Sequence, residues 1–171
     1  VDGTLETATV ALADGATLNI DGTVQAAGAA QTAITGDVGV NSIVVGAGST
    51  LLASGDLGDG NDVFDVAGTF DTGGGTFYLG AGDDTFVVHD NTVVNGVIDG
   101  GAGLDTRVYD INLTADLGAL TNFEGLTKTG SGVLNIHGPG SSDLQEVEVL
   151  GGTLNIASTG GIVGVTSATV G

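Results

Sequence analysis

A phrase that occurs three times in the middle of the chain constrains its fold more than any other feature. The copies share a Gly-x-Gly pair, an aspartate and a strand-forming run, and they are Leu57–Phe64, Leu79–Phe86 and Gly100–Arg107. By subtraction, the aligned aspartates are 22 and 21 residues apart, and they are Asp62, Asp84 and Asp105. Repeats of about 20 to 50 residues are typical of solenoids, in which successive units stack on one another. The sequence therefore predicts a stacked repeat.

The glycines of each copy predict a tight turn directly before a strand. Gly adopts positive φ without steric cost, and Asp or Asn can hydrogen-bond the local backbone. The runs Val63–Val66 and Thr85–Val88 follow the turns, and Phe64 and Phe86 occupy matching positions in them. Such β-branched and aromatic runs favour strands. Each copy is therefore interpreted as a turn followed by a β-strand.

The same succession of turn and alternating strand occurs outside the central copies. It is found in Ala13–Ile20, Gly46–Ala53, Gly74–Leu79, Gly132–Ile136 and Gly151–Ile156. Leu134 and Leu154 are 20 residues apart, close to the spacing of the aspartates. With about 20 to 22 residues per coil and about 4.8 Å between coils, we expect an all-β solenoid of about eight coils with little or no α-helix.

One face of these strands is predicted to line the core, because successive side chains of a strand point to opposite faces. The inward residues are predicted to be Leu18, Ile20, Leu51, Phe64, Phe77, Phe86, Leu134, Ile136, Leu154 and Ile156. Aromatic residues make up only 4% of the chain, so small and β-branched side chains must fill most of a narrow interior. One elongated domain is expected.

Acidic residues dominate the charge of the chain. Asp and Glu number 21 against two Lys and Arg, which gives a net charge of −19. This balance disfavours nucleic acid and anionic membrane surfaces as partners, since both are bound largely through Lys and Arg. No apolar run reaches the roughly 18 residues of a membrane-spanning helix, so direct membrane insertion is not expected. Cysteine is absent, which excludes disulfides and thiolate metal sites.

The aligned aspartates are the candidate metal-ligating residues. Asp62, Asp84 and Asp105 are predicted to form a ladder with one carboxylate per coil, and Asp59 and Asp83 lie beside them. Stacked carboxylates about 5 Å apart repel by on the order of 3 kcal/mol per pair at an effective dielectric constant of about 20. Calcium is the candidate ion that relieves this repulsion, with turn carbonyls completing its shell. Those carbonyls belong to Gly58, Gly60, Gly80, Gly82, Gly101 and Gly103. Screening by water and salt is the alternative.

Catalytic signatures are weak. The Gly-x-Ser-x-Gly motif of serine hydrolases is absent, and Gly130–Gly132 belongs to the repeat. His89 and His137 follow strands in separate coils, and the adjacency of His89 to Asp90 does not establish a catalytic pair. A lyase acting on an acidic polysaccharide would need several cations, and the chain has two. No enzyme is predicted, and a carbohydrate-active β-helix (lyase or hydrolase) is kept as an alternative.

The C-terminal part of the chain resembles a named repeat. Phe123–Ile136 and Val147–Ile156 are similar to the passenger-associated transport repeat of bacterial autotransporters. The resemblance implies a right-handed parallel β-helix passenger, exported through a C-terminal outer-membrane barrel that lies outside this chain. It also divides one continuous solenoid into residues 1–122, with Gly- and Asp-rich turns, and residues 123–171, with transport-repeat coils.

This resemblance carries expectations about function and location. It implies a non-enzymatic adhesive stalk, secreted or held at the bacterial cell surface. Its partners would be a host-cell or matrix receptor, or the same protein on sister cells. Gly100–Asp105 also resembles the calcium-binding repeat of RTX proteins, although Leu57 and Leu79 replace the first glycine in the other copies and Arg107 replaces an apolar residue. A calcium-stabilised surface protein of that kind is the alternative.

Overall fold

The chain forms a β-solenoid. The computed structural model describes residues 2–28, 30–117, 121–136, 144–156 and 167–171. These residues contain strands and turns but no helix, and hence no helix that could cross a membrane. The strands are β1 Asp2–Glu6, β2 Thr9–Ala11, β3 Thr17–Gln25, β4 Thr32–Thr35, β5 Ser42–Val45, β6 Thr50–Asp56, β7 Val63–Val66, β8 Thr69–Ala81, β9 Thr85–His89, β10 Val93–Ala102, β11 Thr106–Asp110, β12 Thr114–Leu117, β13 Gly125–Thr129, β14 Val133–Ile136, β15 Glu146–Val149, β16 Thr153–Ile156 and β17 Ser167–Val170.

All pairings between these strands are parallel, as the stacked repeat requires. The larger sheet follows the order β10-β8-β6-β3-β5-β7-β9-β11-β13-β15-β17, and β12-β14-β16 form a second sheet. The stack makes about seven turns, close to the predicted eight. The all-β solenoid predicted from the repeats is therefore confirmed, and so is the expected parallel arrangement of its strands.

One long strand joins two walls of the solenoid. The first half of β3 pairs with β5, and Thr23 and Val24 near its end pair with β6. From β3, one wall continues through β5, β7, β9 and β11, and the other wall continues through β6, β8 and β10. Because β13 pairs with β11, the C-terminal coils continue the same wall.

The core is a column of stacked side chains between the walls. Register places Ile43, Phe64 and Phe86 in one row, and the Phe64 ring lies 5.5 Å from that of Phe86 and 4.7 Å from that of Phe70. The predicted inward residues that are buried are Ile20, Leu51, Phe64, Phe77, Phe86, Leu134 and Ile136. Leu18 and Leu154 pack against this core but are only partly buried.

The inward prediction is wrong for Ile156. Its side chain is 50% exposed, although the backbone of Ile156 pairs in register with buried Ile136. β16 is the last described strand of its sheet, so no described strand covers this side chain. The alignment of Ile156 is therefore as predicted, and none of the described strands packs over its side chain.

The repeated glycines are required by the close approach of successive turns. Gly80 has φ +122°, and a Cβ atom built on it would lie 1.8 Å from the carbonyl oxygen of Gly58. Gly101 has φ +110°, and its Cβ would lie 1.9 Å from the carbonyl oxygen of Gly80. No side chain can be accommodated at these distances, and positive φ adds backbone strain. The Gly-x-Gly phrase therefore allows the turns of successive coils to stack in close contact.

Candidate functional site

The three aligned aspartates stand one per coil, immediately before β7, β9 and β11. Asp62, Asp84 and Asp105 are 1%, 1% and 0% exposed, so the stack of carboxylates lies inside the solenoid. Their direction follows from strand alternation, because Asp62 is two residues before buried Phe64 and shares its face. We call Asp62, Asp84 and Asp105 the carboxylate ladder.

Each carboxylate of the ladder accepts a hydrogen bond from the backbone of the preceding coil. The amide of Asp62 donates to Asp84 Oδ1 at 2.7 Å, and that of Asp84 donates to Asp105 Oδ1 at 2.8 Å. At the N-terminal end the amide of Asn41 donates to Asp62 Oδ1 at 2.6 Å. At the C-terminal end the amide of Asp105 donates to Glu124 Oε2 at 2.9 Å. The ladder therefore links coils through side chain to backbone bonds.

Two of these participants were not predicted from the sequence. Asn41 and Glu124 lie 21 residues before Asp62 and 19 residues after Asp105 in the chain. The repeat length was therefore a sufficient signal to find both. They lack the flanking Gly-x-Gly phrase of the central copies, which is why their alignment was missed.

Within the described part of the chain, the second oxygen of each ladder carboxylate is buried without a hydrogen-bond partner. Oδ2 of Asp62, Asp84 and Asp105 has no hydrogen bond from the described residues. Burial is the main cause that raises their pKa, to about 6 for Asp62, about 7 for Asp84 and about 6 for Asp105. The amide bonds oppose this rise, because they favour the charged form.

Neighbouring acids add to the raised pKa of the ladder. Asp37 and Asp56 act on Asp62, Asp83 acts on Asp84, and Glu124, Asp83 and Asp99 act on Asp105. The ladder members also repel one another, since Asp62 and Asp105 both raise the pKa of Asp84. Repulsion between like charges thus adds to the effect of burial on these pKa values, and protonation is one way to relieve it.

Asp59 and Asp83 lie on the outside of the turn. Both side chains are exposed, whereas the ladder carboxylates beside them in sequence are buried. Asp83 Oδ1 accepts the amide of Leu104 at 3.0 Å, and the amide of Asp83 donates to Asn61 Oδ1 at 3.0 Å. A second, external ladder thus runs parallel to the internal one. The sequence prediction placed all five aspartates together. In the structure, Asp59 and Asp83 face solvent, whereas the ladder aspartates face the interior.

Calcium binding by these residues stays a prediction. Among the described residues, no group of three or more His, Asp or Glu side chains is arranged to hold a metal ion. One oxygen of each ladder carboxylate already accepts an amide, and the Gly58 carbonyl accepts the amide of Ala81 at 2.8 Å. A cation entering the ladder would bind the remaining Oδ2 atoms, which are hard oxygen ligands of the kind calcium prefers.

His89 bridges two coils on the outer surface. Its Nε2 lies 2.9 Å from Asp65 Oδ1, and its Nδ1 lies 3.5 Å from Asp110 Oδ2. Asp90 has a different role, because its carboxylate accepts the amides of Leu113 and Asn112. These amides, that of Leu113 foremost, lower the pKa of Asp90. His137 lies outside the described residues.

The only two Lys and Arg side chains of the chain are buried. Arg107 is in the row of Phe86 and Leu126, and its guanidinium carbon lies 5.0 Å from the centre of the Phe86 ring. It lies 5.2 Å from that of Tyr109, so the cation packs against two aromatic rings. Burial lowers the pKa of Arg107. Its match to Phe86 in the repeat is the signal for its inward direction.

Lys128 connects three coils through backbone carbonyls. Its Nζ donates to Gly130 O at 3.0 Å and to Ile111 O and Gly151 O at 3.3 Å, and it also donates to Thr129 O. Burial lowers the pKa of Lys128, while the charge of Asp110 opposes this effect. The ammonium group serves as a hydrogen-bond donor for turn carbonyls in the C-terminal coils.

A cavity of about 440 Å³ lies between two parts of the chain, the β9–β10 turn with its flanking residues and the strands β11 and β12. Its lining includes the apolar side chains of Val94 and Ile111 together with His89, Arg107 and Tyr109. These residues bring a buried cation and apolar surface together. A groove of about 320 Å³ lies on the other wall, beside Tyr78.

Comparison with protein families, with curated proteins and with solved structures found no match to this chain.

Proposed function

We propose that the chain is a non-enzymatic, surface-exposed passenger segment of an autotransporter adhesin. It serves as a β-helical stalk and adhesive scaffold, held at the bacterial outer membrane through a translocator outside this chain. Its partners are a host-cell or matrix receptor, or the same protein on a sister cell. The resemblance of Phe123–Ile156 to the transport repeat supports the export route.

The observation that carries the adhesive role is the regular outer surface of the stack. Polar side chains bond from coil to coil, as in Asn155 Nδ2 to Asn135 Oδ1 at 3.0 Å and Asn135 Nδ2 to Asp116 Oδ1 at 3.2 Å. Such ladders repeat one chemistry along the stack and hold it rigid. Extended solenoid surfaces of this kind suit binding to large partners.

Adhesion is tested with the purified chain coupled to beads. Beads are offered to epithelial cells, to matrix proteins and to beads carrying the same chain, with beads carrying heat-unfolded chain as the control. We expect adhesion to at least one surface only when the chain is folded. Equal retention of folded and unfolded chain on every surface would contradict the proposal. Turnover of any member of a polysaccharide panel would instead favour the carbohydrate-active alternative.

The export route has a separate test. The gene is read beyond the codon for Gly171, and the proposal expects a C-terminal region of alternating strands that forms an outer-membrane barrel. A full-length gene without such a region would contradict the autotransporter assignment while leaving the adhesive role open to the bead experiment.

A further inference from the structure

We propose that the groove beside Tyr78 binds a cationic side chain, an arginine or lysine, of a partner protein. The groove is lined by Asp56, Asp59 and Tyr78, together with Gly58, Gly80, Ala81 and Gly101. The inference deepens the proposed adhesive function, on which it rests, by naming the chemistry of the partner.

Tyr78 presents an aromatic ring to solvent between two acids. Its side chain is 46% exposed on the outer face of β8, a position where strands usually carry small polar residues in this chain. In the parallel register Tyr78 pairs with Asp56 of β6 on one side and with Asp99 of β10 on the other. Neighbouring strands lie about 4.8 Å apart, so both carboxylates are within reach of a group resting on the ring.

The two flanking carboxylates are already oriented by the protein. Asp56 Oδ1 accepts the amide of Gly58 at 2.9 Å, and Asp99 Oδ1 accepts Asn122 Nδ2 at 2.7 Å. Ordered carboxylates lose less conformational freedom when they bind a ligand, which favours affinity. A guanidinium or ammonium group over the ring would combine a cation–π contact with charge-assisted hydrogen bonds.

The open floor of the groove is fixed by the stacking of the solenoid. Gly58, Gly80 and Gly101 stand above one another, and a Cβ atom on Gly80 or Gly101 would overlap the glycine of the preceding coil. The floor therefore cannot carry side chains, and a partner side chain can lie across it. This geometry persists over three coils.

The chain cannot supply the cation itself. Its only Arg and Lys, Arg107 and Lys128, are 6% and 0% exposed, inside the core, while the net charge is −19. Charge complementarity therefore requires a basic partner. A carbohydrate could also stack on Tyr78, but three surrounding carboxylates on a strongly acidic protein favour a cation.

The experiment measures binding of a hexa-arginine peptide by calorimetry, with a hexa-glutamine peptide as the neutral probe. The variants are Tyr78→Ala and the double variant Asp56→Asn with Asp99→Asn, each checked for folding by circular dichroism. The matched control is Glu146→Gln with Glu148→Gln on β15, which removes the same charge far from the groove. We expect hexa-arginine to bind the native chain, and each groove variant to weaken binding about five-fold or more. The control should change affinity less than about two-fold.

Three results would overturn the inference. They are no binding of hexa-arginine, equal weakening by the groove variants and the control, and Tyr78-dependent binding of an oligosaccharide without binding of the peptide. The bead experiment separates the two proposals. If the native chain and Tyr78→Ala adhere equally, the groove inference fails and the adhesive function stands. If the native chain binds the peptide but adheres to no surface, the adhesive function fails.

Discussion

Each ladder aspartate is subject to two opposing effects inside the solenoid. Its Oδ1 accepts an amide from the preceding coil, which favours the ionised form, while burial of the carboxylate favours the protonated form. Burial dominates, since the pKa of Asp84 rises to about 7. The hydrogen bonds of the ladder therefore stabilise the stacking of coils, whereas its buried charges, when ionised, destabilise the fold.

Asp84→Asn should stabilise the protein at pH 8. Asn keeps the Oδ1 that accepts the amide of Asp62 and removes the buried charge, so we expect a gain of about 1–3 kcal/mol in the free energy of unfolding. At pH 5 the folded Asp84 is protonated while an unfolded Asp is mostly ionised, so the gain should be smaller than at pH 8, and it should vanish only below the ordinary pKa of 3.8. Chemical denaturation at both pH values measures it.

The control for this substitution is Asp83→Asn. Asp83 is exposed, and its substitution removes the same charge. The free energy of unfolding of the protein should therefore change by less than about 0.5 kcal/mol at either pH. Equal effects of the two substitutions would show that net charge, rather than burial of Asp84, limits stability.

At the scale of the element, turn and strand are joined by the glycine stack. Gly80→Ala would place a Cβ atom 1.8 Å from Gly58 O at a φ of +122°. Since backbone on both sides is fixed by pairing, we expect a loss of about 3 kcal/mol or more. Gly75→Ala is the matched control in the same strand, because its nearest contact would be an ordinary 3.5 Å. Thermal melts compare them, and equal midpoints would contradict the stacking role.

The calcium hypothesis has its own prediction for these turns. If an ion lies between the coils, millimolar calcium raises the melting midpoint relative to chelator, because the ion binds the folded state only. The rise should disappear in Asp84→Ala. An unchanged midpoint of the native chain would exclude a structural calcium ion and leave protonation to relieve the ladder.

Strand alternation explains which parts of the site could be predicted from sequence. The repeat spacing predicted that Asp62, Asp84 and Asp105 align, but the turn before them obscured where alternation begins. Asp62 therefore looked like a turn residue, although it shares the buried face of Phe64. Arg107 departs from the apolar pattern, but its match to Phe86 in the repeat indicates a core position, and its guanidinium does pack against the Phe86 ring.

At the scale of the whole molecule, the fold was predictable because one period governs nearly all of the chain. The repeat spacing determines which residues pair between coils, and this register determines which side chains stack in the core. The stack therefore follows from the spacing of a few residues. The two walls were not predicted, because one continuous strand, β3, pairs with β5 on one wall and with β6 on the other. The exposure of Ile156 depends on its place in the last described strand of its sheet, which a local pattern does not encode.

Stability of the whole chain should fall as pH rises from 5 to 8. The three ladder groups have folded pKa values of about 6, 7 and 6, above the ordinary value of 3.8. Their contribution is full below that ordinary value and is lost as pH rises through 6 to 7. Thermal midpoints should therefore decrease across this window. Because the groups are buried, salt should not abolish the trend. A midpoint that rises or stays constant would contradict it.

The internal ladder is tested most directly by following the side-chain carboxyl carbons of Asp62, Asp84 and Asp105 in a pH titration by nuclear magnetic resonance. Substitution of each aspartate by Asn assigns its signal. We expect apparent pKa values of about 6, 7 and 6, because the carboxylates are buried between coils. Titration of all three near about 4, the usual value for a solvated Asp, would place them in water and contradict a solenoid with an internal carboxylate ladder.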